Sequence, residues 1–194
     1  MGTFSHRVAV LLTVLIPVSI THVVAQDAGE GREFGAVISK VGNVRNSTAL
    51  FAGGQGGWIL DHHLAIGLGG YTLLNDVSAR VPDTLGNRNL TFSYGGATFE
   101  YTYPSGDSFY AIFQMLLGGG AVGHKESPYI DRRQYQDPCF VVEPNVTLEV
   151  AVSKMFRIGV GAGYRQVLLL KSNLATSSDL SSISGSLSLK VGFF

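Results

Sequence analysis

The chain has 194 residues with 14 basic and 14 acidic side chains, so its formal net charge is zero. This balance indicates neither a basic nucleic-acid surface nor an acidic tail. Charged residues make up only 14% of the chain and 25 residues are glycine, a composition that is unusual for a soluble enzyme and common where strands face lipid. Cys139 is the only cysteine, which excludes an intramolecular disulfide.

The amino terminus has the parts of a secretory signal peptide. The pair His6-Arg7 precedes an apolar run over residues 8–20, and a small-residue cleavage site ends at Ala25. We predict that residues 1–25 are a cleaved signal peptide and that residues 26–32 are a short polar leader. The alternative is a membrane anchor, but the apolar run is shorter than the roughly 20 residues that span a bilayer as a helix.

Residues 33–194 read as a succession of β-strands. In the clearest part, residues 139–170, apolar side chains alternate with polar ones from Phe140 to Val152 and again from Phe156 to Tyr164, around a turn at 153–155. Alternation of this length is typical of a hairpin rather than a helix. Besides these two strands we predict six others, over residues 33–42, 47–60, 63–75, 90–103, 108–125 and 181–194. The fold expected is an all-β, eight-stranded antiparallel up-and-down barrel of the transmembrane type.

Two positions interrupt the strand pattern. The alternation of the fourth strand changes phase between Tyr94 and Phe99, and the pair Gly95-Gly96 between them predicts a β-bulge. Pro144 lacks the backbone donor that a central strand needs, so we expect it near the outer rim, where a bulge or water compensates.

The connections differ in length. The second, fourth and sixth are short, whereas the third, fifth and seventh are long and polar. Short turns at one end and long loops at the other are typical of outer-membrane barrels, in which the turns face the periplasm. The short first connection is an exception. An even number of strands places both termini at the periplasmic end.

Aromatic residues cluster near the short turns and the carboxyl terminus. We predict a girdle at the membrane interface, where amphipathic rings are favoured, although aromatic residues are also frequent in strands generally. The predicted girdle is Trp58, Tyr101, Tyr103, Phe109, Tyr110, Phe156 and Phe193.

The strand number, the order of turns and loops, and the terminal phenylalanine resemble those of the small eight-stranded outer-membrane β-barrel proteins. Residues 53–71, 140–150 and 156–165 are similar to recurring segments of an uncharacterised family of exported barrels. The resemblance implies a membrane barrel with no known activity. It is less close at the last residue, because Phe193 rather than Phe194 falls on the apolar face of the last strand.

If the apolar faces point to lipid, the opposite faces place charged residues in the lumen. Buried charges must be paired, so we predict an internal ion-pair network in which Glu143 or Asn145 lies across from Arg165. The alternative is an ion pathway, although an eight-stranded barrel has little room beyond its own side chains. Inward glycines either make room for large neighbours or leave a cavity. The predicted network comprises Glu100, Glu143, Glu149, Arg157, Arg165 and Lys190.

Other chemistry has weaker support in the sequence. Asp61-His62-His63 could bind a metal, and His124 with Ser127 has residue types found in a serine hydrolase, although the spacing fits no motif. The loop 125–138 carries residue types that are favoured at binding sites, namely Tyr129, Arg132, Arg133 and Tyr135. The strand glycines do not precede a helix and form no dinucleotide motif.

The sequence thus predicts a monomeric barrel of the bacterial outer membrane, with a plugged lumen and a structural, adhesive or small-ligand role. Its expected partners are outer-membrane lipid and, during biogenesis, the barrel assembly machinery. We expect no catalysis, cofactor, metal or nucleic acid. Two alternatives are a lipid-modifying barrel hydrolase and a soluble periplasmic lipid carrier of the lipocalin type, and the carrier predicts an apolar lumen with Arg157 and Arg165 outside.

Overall fold

The computed structural model describes residues 32–61, 63–78, 89–106, 108–125, 136–172 and 174–194. The predicted signal peptide and all of the leader except Arg32 lie outside these ranges. At His124 and Lys125 the description covers the backbone alone.

Eight antiparallel strands form one closed barrel in which each strand pairs with its sequence neighbours and the last pairs with the first. The predicted all-β fold is confirmed. The strands are β1 (Arg32–Val44), β2 (Ser47–Ile59), β3 (Leu64–Leu73), β4 (Asn89–Pro104), β5 (Phe109–Lys125), β6 (Asp137–Ser153), β7 (Phe156–Leu168) and β8 (Ser182–Gly192). The one helix in the described ranges, α1 (Ser177–Leu180), precedes β8, and none there is long and apolar enough to cross a membrane.

The barrel has two unlike ends. At one, which we call the terminal end, β1 begins, β8 finishes, and short turns join β2 to β3, β4 to β5 and β6 to β7. At the other, the loop end, the turn between β1 and β2 is also short. Its two central residues, Arg45 and Asn46, have φ values of 49° and 59°, and positive φ at both positions is typical of the type I′ turn that matches strand twist.

The alternation predicted for β6, β7 and β8 is present in the structure. Along β6, Glu143 and Glu149 are buried inside while Leu148, between them in phase with the outer face, is 59% exposed. The same holds for β7, where Arg157 and Arg165 turn inward. Polar inside and apolar outside is therefore the rule over this side of the barrel.

The expected bulge in β4 is wrong. Gly95 pairs with Gly119 and Gly96 with Gly118 in an unshifted register, and β3 pairs just as regularly on the other side. The strand keeps its phase, so Tyr94 points inward and Phe99 outward. What changes along β4 is the surroundings, because the interior of the barrel is apolar toward the loop end and polar toward the terminal end.

The first strand also departs from the expected arrangement. Its apolar residues Phe34, Ala36 and Ile38 face the lumen, not the outside, and Lys40 continues the same inward series. The outer face carries other apolar side chains, such as Val37, which is 68% exposed. Because both faces of β1 are apolar over this length, alternation could not assign their direction.

A compact apolar cluster fills the lumen at the loop end. Residues of the flanking connections join it: Val77 and Ala175 are buried, and α1 inserts Leu180. The Thr176 and Asp179 side chains cap α1 at its amino end and hold this inserted turn together. The main members of the cluster are Val44, Ala49, Phe51, Val77, Leu90, Phe92, Leu116, Val122, Cys139, Val141, Val167, Ala175 and Leu180.

Pro144 lies eighth among the 17 residues of β6, in mid-strand rather than near the rim as predicted. The β6–β7 register continues unshifted past it, from Val142↔Gln166 to Asn145↔Gly163, without a bulge, but the two intervening pairs are absent from the ladder. In an antiparallel ladder both of those pairs need the hydrogen bond from the main-chain N–H of residue 144 to the carbonyl oxygen of Tyr164. Proline has none, so the Tyr164 carbonyl oxygen receives no bond from β6.

Replacing Pro144 with valine should restore this bond. We expect the free energy of unfolding to rise by about 1 kcal/mol, the net worth of one hydrogen bond, because valine also suits an outward strand position. Urea unfolding of the barrel refolded into lipid measures the change. Lower stability than wild type would mean that the gap in the ladder is not a weakness.

Several glycines permit close contact with a neighbouring strand or a large side chain. A Cβ atom at Gly53 would lie 2.4 Å from Tyr71 Cδ1, so this inward glycine makes room for the tyrosine ring. A Cβ atom at Gly118 would lie 2.0 Å from the Gly95 carbonyl oxygen, whereas at the next residue, Gly119, the nearest atom would be 3.7 Å away.

These two adjacent glycines form a matched test. We expect Gly118→Ala to lower the free energy of unfolding by at least about 2 kcal/mol, because the clash is with backbone that cannot move aside alone. We expect Gly119→Ala to change it by less than about 0.5 kcal/mol. The same urea titration serves, and equal effects of the two substitutions would contradict the close approach.

Candidate functional site in the lumen

The lumen contains the charged residues predicted for it and several polar residues that were not predicted. Strand alternation places them in the lumen, since every second residue of each strand points inward. The buried polar side chains are Lys40, Gln55, Thr98, Glu100, Glu143, Asn145, Thr147, Glu149, Arg157, Arg165, Ser184, Ser188 and Lys190.

Lys190 is the centre of the network toward the terminal end. Its Nζ atom lies 3.0 Å from Glu100 Oε2 and 2.9 Å from Glu149 Oε1. Gln55 donates a hydrogen bond to the other oxygen of Glu100 and accepts one from Gln114 at 2.6 Å. One ammonium group is thus shared by two carboxylates from different strands, which compensates the burial of all three charges.

Arg157 lies at the terminal mouth of this network. Its closest ionic contact is loose, with 3.7 Å between Nη1 and Glu149 Oε2. The rings of Tyr110 and Phe194 cover the guanidinium, with centroids 3.9 and 3.8 Å from Cζ. Such contacts stabilise the cation by attraction to the ring faces, but they leave its N–H donors unused.

A second ion pair lies midway along the barrel. Lys40 forms a salt bridge with Glu143, and the hydroxyl group of Tyr94 donates to the other oxygen of that carboxylate at 2.6 Å. The Lys40 ammonium also lies 3.4 Å from the centroid of the Tyr71 ring. Both charged side chains are 2% exposed or less, so this pair and its aromatic neighbours occupy the lumen at this level.

Arg165 is not held by a carboxylate. The register of the flanking pairs puts it level with Glu143, but Glu143 binds Lys40 instead. The guanidinium donates to the carbonyl oxygens of Leu180 at 2.8 Å and Asn43 at 3.3 Å. It also lies 4.4 Å from the centroid of the Phe51 ring, and the residue is 1% exposed. Arg165 therefore links β7 to α1 and to the apolar cluster.

Two open spaces lie in the terminal half of the lumen. A cavity of about 280 Å³ opens at the terminal mouth. Deeper, a void of about 10 Å³ lies among Gln55, Asn145 and Ser188, enough for about one water molecule. Beyond this void come the Lys40–Glu143 pair and then the apolar cluster. Along the described residues, the open space therefore narrows from the terminal mouth toward the Lys40–Glu143 pair.

The predicted girdle residues do not all lie on the outside. Tyr110 turns inward and covers Arg157, and Phe156 is partly buried. Phe193, as expected from its phase, is 61% exposed, whereas Phe194 folds against the mouth. The exposed members, all toward the terminal end, are Trp58, Tyr101, Tyr103, Phe109 and Phe193.

The alternative catalytic and metal residues are only partly described. His63 approaches the Thr102 carbonyl oxygen through Nδ1 at 3.0 Å and stacks on Tyr101. Within the described ranges, no three histidine, cysteine or acidic residues come together as a metal site. Asp61 lies in the turn between β2 and β3, where its main chain is hydrogen-bonded to that of Leu64. At His124 only the backbone is described. The other candidates lie outside the described ranges, namely His62, Ser127, Tyr129, Arg132, Arg133 and Tyr135.

Sequence reasoning missed the residues that complete the network. Lys40 could have been found, because it continues the series of Phe34, Ala36 and Ile38 on the face that proves to be inward. Gln55 and Tyr71 lie among glycines that conceal the alternation of β2 and β3. No local signal marks them as partners of charges on distant strands.

Comparison with known proteins identifies the fold. The chain matches no family model and no curated protein. It is similar to the crystal structure of Neisserial surface protein A, with 11% identity, 87% of this chain and 99% of the other covered, and a TM-score of 0.59. The fold is that of the small outer-membrane β-barrels. The N-terminal barrel domain of Pseudomonas aeruginosa OprF is also similar, at 12% identity, with 84% and 100% of the two chains covered and a TM-score of 0.52.

Breaking the buried Lys40–Glu143 pair should be costly. We expect Lys40→Met to lower the free energy of unfolding by about 3–5 kcal/mol, because an uncompensated carboxylate stays in the lumen. The double variant Lys40→Met/Glu143→Gln should recover most of the loss. Urea unfolding measures both, with Lys154→Met in an exposed turn as the control, expected within about 0.5 kcal/mol of wild type. No recovery in the double variant would contradict the pairing.

Proposed function

We propose that this protein is an integral β-barrel of the bacterial outer membrane with a structural or adhesive role. In this proposal lipid surrounds the outer face, internal ion pairs and an apolar cluster plug the lumen, and the barrel performs no catalysis. Residues 1–25 direct export and are removed.

The observation that carries the proposal is the outer surface. Every strand exposes large apolar side chains there, whereas the charged strand residues are concentrated inside. Soluble monomers rarely expose contiguous apolar surface on this scale, and an apolar outer band is what lipid requires of a barrel. One such side chain per strand, from β1 to β8, is Val37, Leu50, Leu68, Phe99, Phe113, Leu148, Val160 and Leu187.

The observed assignment of inner and outer faces argues against the alternative of a soluble lipid carrier. It requires Arg157 and Arg165 outside and an apolar lumen that holds lipid, but these residues are 8% and 1% exposed. The apolar part of the interior is packed by the barrel's own side chains at the loop end. A lipid carrier of the lipocalin type would therefore need the opposite assignment of faces.

We infer that the terminal end faces the periplasm and the loop end faces outside. Bacterial barrels place short turns and both termini at the periplasmic side, and the exposed aromatic residues near the terminal end fit an interfacial girdle. Neisserial surface protein A, which shares the fold, is by name a surface protein. This orientation leaves the loops between β3 and β4, β5 and β6, and β7 and β8 to meet external partners.

The lumen is too well plugged to conduct ions freely. A solute entering at the terminal end would meet Lys40 and Glu143, which are paired and buried, and then the apolar cluster around Phe92 and Leu180. Ions crossing such a cluster would lose their hydration without replacement. We therefore favour a structural or adhesive role over an ion pathway.

Cell fractionation with a heat-modifiability gel tests the membrane assignment. The mature protein should sediment with the outer membrane, resist extraction by salt, and migrate differently before and after boiling, because the folded barrel persists in detergent. Recovery in the soluble fraction without detergent would overturn the proposal.

A pair of outer-face valines tests the depth of the membrane. Val160 lies in mid-strand and Val191 near the terminal rim, and they are 58% and 51% exposed. For the barrel in a bilayer we expect Val160→Arg to lower the free energy of unfolding by about 2–4 kcal/mol and Val191→Arg by about 0–1 kcal/mol. In a soluble protein neither substitution at these exposed positions should change the free energy of unfolding much. Two small, equal effects in lipid would count against a membrane-embedded outer face.

A further inference from the structure

The cavity at the terminal mouth has unused hydrogen-bond donors. The side chains that line it include three cationic residues, Arg32, Arg157 and Lys190, one carboxylate, Glu100, and the imidazole of His63. Glu100 is already engaged at both oxygens, by Gln55 and by Lys190. The charged residues of the wall can therefore still donate hydrogen bonds to a ligand, and most of the free donors belong to Arg157.

Arg157 is held in place, but the described residues leave hydrogen-bond donors of its guanidinium unused. It is 8% exposed, yet among the described residues its one ionic contact, at 3.7 Å, exceeds hydrogen-bond length, and its buried Nε atom has no hydrogen-bond partner there. Glu149 lies behind it and lines the inner void rather than the mouth cavity. The rings of Tyr110 and Phe194 hold the guanidinium by its faces, which leaves hydrogen bonding to its edges.

The remainder of the cavity wall is largely apolar. Phe34, Ile59 and Leu64 contribute to it along with the two rings that cover Arg157. A volume of about 280 Å³ is close to the roughly 300 Å³ at which small-molecule pockets begin. A few polar groups that fix orientation within mostly apolar walls are the usual composition of such pockets.

We propose that this cavity binds a small organic carboxylate with a flat apolar body. The carboxylate receives hydrogen bonds from the edge of the Arg157 guanidinium, whose planar fork matches its geometry, and the body lies against Phe34, Tyr110 and Phe194. The site opens at the end of the barrel, so it is accessible to water whether or not lipid surrounds the outer face. It therefore does not depend on the membrane assignment.

Benzoate is a suitable probe, with benzamide as a neutral molecule of the same shape. Titration calorimetry on the folded full barrel should show saturable binding of one benzoate, with benzamide about tenfold weaker or worse, because the amide lacks the charge that Arg157 recognises. We expect Arg157→Gln to weaken benzoate binding by about tenfold or more. Lys154→Gln, which removes a positive charge at the same end but outside the cavity, should change it by less than about twofold.

A measurement on the wild-type protein covers the case in which Arg157→Gln does not fold. Nuclear Overhauser contacts from the benzoate ring protons should reach the rings of Tyr110 and Phe194. Absence of saturable benzoate binding to the folded barrel, equal affinity for benzamide, or contacts elsewhere on the protein would overturn the site. So would unchanged binding in a folded Arg157→Gln variant.

Discussion

Closure of eight strands into a ring is the constraint on which the rest of this structure depends. A barrel of this size encloses a space that its own side chains nearly fill, and alternation sends every second residue of each strand into that space. The inward residues must therefore complement one another across the ring. Lys190 shows the result, since it joins Glu100 of β4 to Glu149 of β6 from its own position on β8. Each charge is compensated only when the ring is closed.

The enclosed space is divided along its length. The terminal half holds carboxylates, amides and ammonium groups around a cavity and a small void, whereas the loop end is packed with aliphatic and aromatic side chains. The apparent phase change of β4 is a direct consequence of this division. Tyr94 and Glu100 both point inward on one regular strand, but one reaches the apolar half and the other the polar half.

The alternation of β6, β7 and β8 was enough to predict their faces, because their inward residues are mostly polar or small, apart from Val141 and Val167 near the loop end, and their outward residues are apolar. It was not enough for β1 or β4, where inward residues such as Ile38 and Phe92 are as apolar as those outside. Period two fixes which residues share a face, but polarity alone cannot tell which face is inside when both are apolar. The partners of each charge also escaped prediction, since Lys40 and Glu143 are 103 residues apart and meet only through strand order and shear.

Arg165 lies where the polar and the apolar halves of the lumen meet. The charged residues buried in the described lumen are four cations, Lys40, Arg157, Arg165 and Lys190, and three acids, Glu100, Glu143 and Glu149. The cation left without a carboxylate in contact is Arg165, which faces the apolar cluster. Main-chain carbonyl oxygens of β1 and α1 and the faces of three aromatic rings take the place of an anion there. Because these partners include the inserted helix, the charge of Arg165 is compensated only while α1 is seated. The same residue thus ends the polar network and ties β1, β7 and α1 together at the loop end.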